Sequence, residues 1–159
     1  MKIGFYAGSF DPFTNGHLHI VSKAAQLFDK VIVGIGVNPN KIRRINNDIM
    51  RKTIEKILEN EGLNNVQVIC YDKLTVDVAL EHNSTYLIRG IRNGIDYEYE
   101  ENIASINAEV LGLDTIYIRA GKFGNISSSL VMELMSYKKD VSKYVPKEVL
   151  EILENRHEN

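Results

Sequence analysis

Short β-branched runs recur along this chain, each followed by a stretch of helical spacing, and this alternation narrows the possible folds more than any other feature. Strands are predicted at Ile3–Ala7, Val31–Val37, Val66–Tyr71, Thr85–Ile88 and Thr115–Arg119. Helical patterns fill the intervals at about 16–28, 48–61, 76–82, 97–111 and 128–137, and a last helix is predicted over about 146–155. Gly62 and Gly112 stand where a left-handed helix C-cap belongs, and Pro146 suits a first helical turn. Met50, Ile54, Ile57 and Leu58 make one apolar stripe on the second helix, as expected of a helix that covers a sheet.

Near-continuous apolar strands alternating with helices imply parallel strands, buried on both faces and joined by right-handed crossovers. The expected fold is α/β: a single domain over residues 1–159, a doubly wound, Rossmann-like, five-stranded parallel sheet with helices on both faces. No repeat, low-complexity tract or linker interrupts it. In such folds ligands bind beyond the carboxyl ends of the strands, where strand order reverses.

Composition removes several function classes. With 19 Lys and Arg against 21 Asp and Glu, and a formal net charge of −2, the chain lacks the basic excess of a nucleic-acid binder and any long-range pull toward an anionic membrane. No apolar run approaches a membrane span, and residues 1–10 lack the pattern of a signal peptide. Cys70 is the only cysteine, so no internal disulfide can form. A reducing, cytoplasmic setting is expected, with Cys70 a buried, inert thiol.

The segments after the predicted strands carry the chemistry. The first is Gly8-Ser9-Phe10-Asp11-Pro12-Phe13-Thr14-Asn15-Gly16-His17, and the second Asn38-Pro39-Asn40-Lys41-Ile42-Arg43-Arg44. The fourth strand leads into Arg89-Gly90-Ile91-Arg92, and the fifth into residues 121–129, which end Ile126-Ser127-Ser128-Ser129. Each piece has a bland reading. Thr14–His17 and Ile126–Ser129 can be helix caps, Arg89 and Arg92 can pair with Asp96 or Glu100 on the surface, and Arg43 and Arg44 are expected in a solvated loop. Glycines, hydroxyls and cations gathered at one edge of a mildly acidic protein nevertheless suit a small polyanion, above all a phosphate held by Arg forks and helix N-termini.

Taken together these residues resemble a known family. The run Gly8–Pro12 followed by Thr14-Asn15-Gly16-His17 is similar to the (T/H)xGH signature of adenylyl- and cytidylyltransferases, and Ile126–Ser129 to their second, ISSS-type signature. The segments Leu87–Arg92 and Asp96–Glu100, with the overall length, narrow the resemblance to the phosphopantetheine adenylyltransferases over about residues 2–150. The resemblance implies an enzyme of coenzyme A biosynthesis, a pantetheine-phosphate adenylyltransferase that converts ATP and 4'-phosphopantetheine to dephospho-coenzyme A and pyrophosphate. It also implies Mg2+, a homohexamer, and coenzyme A as a feedback ligand.

Carried over residue by residue, Ser9, in a position the family usually fills with Thr, bonds the attacking phosphate, His17 contacts the α-phosphate, and Lys41 holds the pantetheine phosphate. Thr75 and Arg89 are the other acceptor-side contacts. Phe10, Gly90, Ile91, Arg92 and Glu100 touch the nucleotide, and Phe123, Gly124, Asn125, Ile126, Ser127, Ser128 and Ser129 cover the adenine and cradle the outer phosphates. The sequence departs from the family pattern at Ala7, at Phe123-Gly124-Asn125, between Arg43 and Lys52, and at Met132.

A phosphate monoester is largely ionised at neutral pH, so direct in-line attack needs no side-chain base and no covalent enzyme intermediate. The protein must align two anions and stabilise charge at the α-phosphorus, with any Mg2+ held mainly by phosphate oxygens. Two other readings stand beside this one: a related enzyme with nicotinate mononucleotide as acceptor, and a nucleotide-binding protein without catalysis. A dinucleotide-dependent oxidoreductase is disfavoured, because Gly-x-Gly-x-x-Gly does not follow the first strand.

Overall fold

The structure is a computed structural model that describes residues 1–156, with the backbone alone of residues 94–96, 99 and 100. In chain order it runs β1 (Ile3–Gly8), α1 (Asn15–Leu27), β2 (Lys30–Gly36), α2 (Asn47–Asn60), β3 (Val66–Tyr71), α3 (Thr75–Glu81), β4 (Tyr86–Ile91), α4 (Gly94–Leu111), β5 (Asp114–Arg119), a 3-10 turn (Gly121–Phe123), α5 (Ser128–Ser136) and α6 (Lys147–Asn155). The strands form one parallel sheet in the order β3-β2-β1-β4-β5. The chain builds outward from β1 to β3, then returns to lay β4 against the other edge of β1. Strand order therefore reverses between β1 and β4.

Side chains alternate across the pleat, and that alternation separates two cores. Tyr6, Val31, Val33, Ile35 and Ile88 point to the face covered by α1, α2, α5 and α6. Ile3, Phe5, Ala7, Ile32 and Leu87 point to the other, where α3 contributes Val76, Val78 and Ala79. The sheet is thus covered on both faces, as its near-continuous apolar strands require. The stripe Met50, Ile54, Ile57 and Leu58 of α2 is buried as predicted. Gly112 takes φ +70° just past α4, the left-handed conformation anticipated there. Gly34 has a different role: a Cβ on it would lie 2.5 Å from Phe5 Cζ, so only a bare backbone lets that ring pass under β2.

At the level of the fold, the sequence reading changes at four points. β4 runs on to Ile91, because its pairing with β5 continues through Ile91–Arg119 after its pairing with β1 has ended at Tyr6–Ile88. Arg89, Gly90 and Ile91 therefore belong to the strand and not to the segment after it. α4 begins at Gly94 instead of near Tyr97. Pro146 is the N-cap of α6. Cys70 is only half-buried, with Sγ 3.7 Å from the Asn47 carbonyl.

Candidate active site

The segment after β1 turns sharply at Phe10, whose φ of +45° is unusual for a residue with a Cβ. Its ring is buried and contacts Tyr6, Phe13 and His17. Thr14 then caps α1, and the cap is reciprocal. The Thr14 hydroxyl accepts the His17 backbone N–H at 3.3 Å, while the Thr14 backbone N–H donates to His17 Nδ1 at 2.9 Å. A ring nitrogen that accepts an amide hydrogen carries none itself, so the imidazole proton sits on Nε2. Phe10 stands nearly perpendicular to the His17 ring at 4.9 Å and Phe13 lies 5.5 Å away. Burial lowers the His17 pKa from 6.5 to about 4. His17 is a neutral imidazole aimed by its own helix cap.

Its ring lines a cleft of about 240 Å³ at the carboxyl edge of the sheet. Tyr6 forms the base, with its hydroxyl held protonated by burial. Thr14, Gly16 and Ile20 come from the start of α1, Gly90 and Arg92 from the end of β4, and Ala120, Phe123, Ile126, Ser127 and Ser128 from the segment after β5. The opening of α5 is fixed twice: Ser127 accepts the Leu130 N–H at 3.1 Å, and the Ser128 hydroxyl donates to the Pro12 carbonyl at 2.7 Å. The first-turn amides of a helix have no intrahelical acceptors, which favours an anion there.

A second cavity of about 180 Å³ lies on the opposite face, between β1, β4 and α4. Ala7, Thr75 and Arg89 line it together with Leu87, Ala104 and Asn107. Arg89 Nη1 donates to the Ala7 carbonyl at 3.0 Å, and the Thr75 hydroxyl meets that of Tyr71 at 2.9 Å. Arg89 and Gly90 are consecutive in β4, so one step along the strand passes from the second cavity to the first.

The structure gathers most predicted site residues, but not all into one space. His17, Gly90, Arg92, Phe123, Ile126, Ser127 and Ser128 share the first cleft, and Thr75 and Arg89 the second. Ser9 and Lys41 are exposed and line neither; Lys41 rides on the loop after β2, its N–H donating to the Asn38 carbonyl at 3.0 Å. Phe10 is core, leaving its backbone as the part able to meet a ligand. Ile91 ends β4, and its carbonyl accepts the Ala120 N–H at 2.9 Å. Gly124 caps the 3-10 turn, Asn125 is exposed, and the Ser129 hydroxyl accepts from Arg44 at 3.4 Å. The side chain of Glu100 lies outside the described residues, as does that of Asp96.

Arg43 is the clearest correction. It turns inward instead of into solvent, donating from Nη1 to the Ser9 carbonyl at 2.8 Å and from Nε to that of Ile45 at 2.9 Å. Sequence reasoning also missed Tyr6, Ile20 and Ala120 as cleft walls. Strand alternation, which puts Tyr6 opposite Phe5, was the available signal for Tyr6; nothing local marked Arg43. His19 was not singled out either: its ring packs 5.3 Å from that of Phe123, which lines the cleft.

Residues 5–134 match the cytidylyltransferase-like family. The chain is 41% identical over 162 residues to the phosphopantetheine adenylyltransferase of Streptococcus suis (strain 05ZYH33), covering 99% of this chain and 98% of the relative. It is 41% identical over 157 residues to that of Streptococcus pneumoniae (strain Hungary19A-6), covering 97% and 96%. The chain belongs to the phosphopantetheine adenylyltransferase family. Among solved structures, a Vibrio parahaemolyticus protein assigned as a nicotinate-nucleotide adenylyltransferase superposes with a TM-score of 0.71 at 19% identity, covering 96% of this chain and 99% of that one. A bifunctional NMN adenylyltransferase/ADP ribose pyrophosphatase from Francisella tularensis gives 0.67 at 20%, covering 91% of this chain and 44% of that longer one. These structures share the fold. The phosphopantetheine adenylyltransferase family, with its nucleotidyltransferase chemistry, is where full-length sequence similarity places the chain.

Proposed function

We propose that this enzyme transfers the adenylyl group of ATP to 4'-phosphopantetheine, giving dephospho-coenzyme A and pyrophosphate. The observation that carries the proposal is the back-to-back arrangement of two cavities across the seam of β1 and β4, one lined by His17, Arg92 and the α5 N-terminus, the other by Thr75, Arg89 and apolar side chains. The first suits a nucleotide triphosphate. The second suits a slim, amide-bearing acceptor whose phosphate reaches over the strand ends toward the first.

In this reading Ser9 and Lys41 meet the acceptor phosphate as it crosses between the cavities, and Arg89 steadies the acceptor behind it. His17 donates from Nε2 to the α-phosphate and strengthens that bond as charge builds in the transition state. Its own helix cap aims it, so it works as a directed donor. The attacking phosphate is already ionised, so attack is direct and in line. The amides opening α5 receive the leaving pyrophosphate.

Donor chemistry in the first cleft fits magnesium. Among the described residues no three His, Cys, Asp or Glu side chains converge. The side-chain oxygens lining it are the hydroxyls of Tyr6, Thr14, Ser127 and Ser128, which suits a hydrated Mg2+ bound chiefly to phosphate oxygens. When bound, it neutralises charge on the triphosphate. Coenzyme A, whose two ends match the two cavities, is the expected feedback ligand. The exposed stripe Ile103, Ile106 and Val110 on α4 supports self-association, for which a homohexamer is our assignment. The single cysteine suits a reducing cytoplasm.

Pyrophosphate release from ATP and Mg2+ with phosphopantetheine, run beside nicotinate mononucleotide, tests the proposal. Release with the first acceptor and not the second is expected; the opposite preference, or release with neither, overturns it.

A further inference from the structure

The loop that carries Lys41 is fixed from beneath by a charged pair that neither cavity uses. The carboxylate of Asp11 accepts two successive backbone amides, Arg44 N–H on Oδ2 and Ile45 N–H on Oδ1, each at 2.8 Å. Arg43 Nη2 lies 3.9 Å from Asp11 Oδ1, and both side chains are nearly buried, at 12% and 13% exposure. The guanidinium reaches on to the Ser9 carbonyl at 2.8 Å and the Phe10 carbonyl at 3.5 Å. Arg44 adds a bond to the Asp11 carbonyl at 3.0 Å. The turn after β1 and the loop after β2 are therefore locked together through charge-assisted bonds.

Two consequences follow from that lock. Residues 44 and 45 are pinned, and Lys41 is tied back to Asn38 at the other end, so little chain between the anchors is left to wander. Phe10, in its costly left-handed conformation, has its carbonyl held by the same Arg43 whose partner holds the lysine loop. The Phe10 ring in turn packs edge-on against His17. A near-buried pair kept only for stability is often replaceable by apolar side chains of similar volume. This one instead joins the segments that bear Ser9, His17 and Lys41.

We propose that Asp11 is a positioning residue that, through Arg43 and the amides of Arg44 and Ile45, sets Lys41 against the turn bearing Ser9. The proposal rests on the functional reading above, which assigns Lys41 to the acceptor phosphate.

A double-mutant cycle on the full-length enzyme tests it. Asp11→Asn keeps the size of the side chain but presents an NH2 group to one of the two amides. Expected are ATP affinity by calorimetry within about threefold of wild type and kcat with phosphopantetheine lower by roughly 10–10²-fold, the scale of loss that small misplacements produce. In a Lys41→Ala background the same change costs less than about threefold, because the group being placed is already gone. Arg43→Lys, which keeps the charge and loses the fork, gives the same pattern and carries the cycle if Asp11→Asn does not fold. Equal fold losses in both backgrounds overturn the proposal, as does a loss of kcat that tracks a fall in Tm. Hydrogen exchange separates this proposal from the functional one: in Asp11→Asn the amides of Arg44 and Ile45 exchange at least about tenfold faster while those of β1 and β2 do not change. If wild type ignores phosphopantetheine, the functional reading falls and the latch stands or falls on that exchange alone.

Discussion

At the scale of single residues, His17 joins local structure to chemistry most directly. One side chain completes the cap of α1, accepts the Thr14 amide, and presents Nε2–H to the cleft. His17→Ala should lower turnover by roughly 10²–10³-fold while ATP affinity stays within a few-fold, the usual result of removing one donor to developing charge. Steady-state kinetics beside calorimetry checks this, and near-normal turnover removes His17 from the chemistry. The ring's proton affinity gives a separate expectation. Unfolded, His17 takes up a proton near 6.5; folded, where the surrounding side chains desolvate the ring, only near 4. The folded state thus binds fewer protons between these values, and its stability falls as pH drops from 6.5 toward 4, by up to about 1.4 kcal/mol per pH unit, with no loss from this group above 6.5. Urea midpoints at pH 5 and 7 should show a steeper acid loss in wild type than in His17→Gln. Equal slopes contradict a ring that stays neutral at pH 5.

The elements show how far sequence reasoning reached. All five strands and the succession of helices were legible, because apolar runs in strands and the spacing of Met50, Ile54, Ile57 and Leu58 report burial directly. The length of β4 was not, since Arg89 and Gly90 resemble loop residues until β5 is known to pair with them. The site divided along the same line. His17 and the serines of α5 are recognisable because their places in the cleft are set by their own helix starts. Arg43 takes its role from Asp11, far back in the chain, and no local pattern tells an inward arginine from a solvated one. Glycine substitutions test the packing account. Gly34→Ala must displace the rings of Phe5 and Tyr71, and should cost about 1–3 kcal/mol in denaturant titration. At Gly112 a methyl meets nothing within 4 Å, so Gly112→Ala should lose only the roughly 1 kcal/mol of its positive φ. If Gly34→Ala proves the milder, the tight passage at Phe5 has been misread.

Across the whole molecule, the sheet keeps the two cavities apart. Ala104 is buried against the second cavity and takes no part in lining the first cleft. Ala104→Phe should fill that space, raising KM for phosphopantetheine by about tenfold or more while ATP affinity stays within about twofold; one side chain of extra bulk in a fitted pocket commonly has that effect. Lys41→Ala should likewise weaken use of the acceptor more than binding of ATP, as read by calorimetry with each ligand separately. Loss of ATP affinity in either variant contradicts a divided site. The seam between β1 and β4 has one more consequence. Since Arg89 and Gly90 look out from opposite sides of a single strand, the second cavity can be rebuilt by altering α3 and α4 while the first cleft is inherited untouched. Such a scaffold lets new specificities arise in descendants without the reaction having to be reinvented.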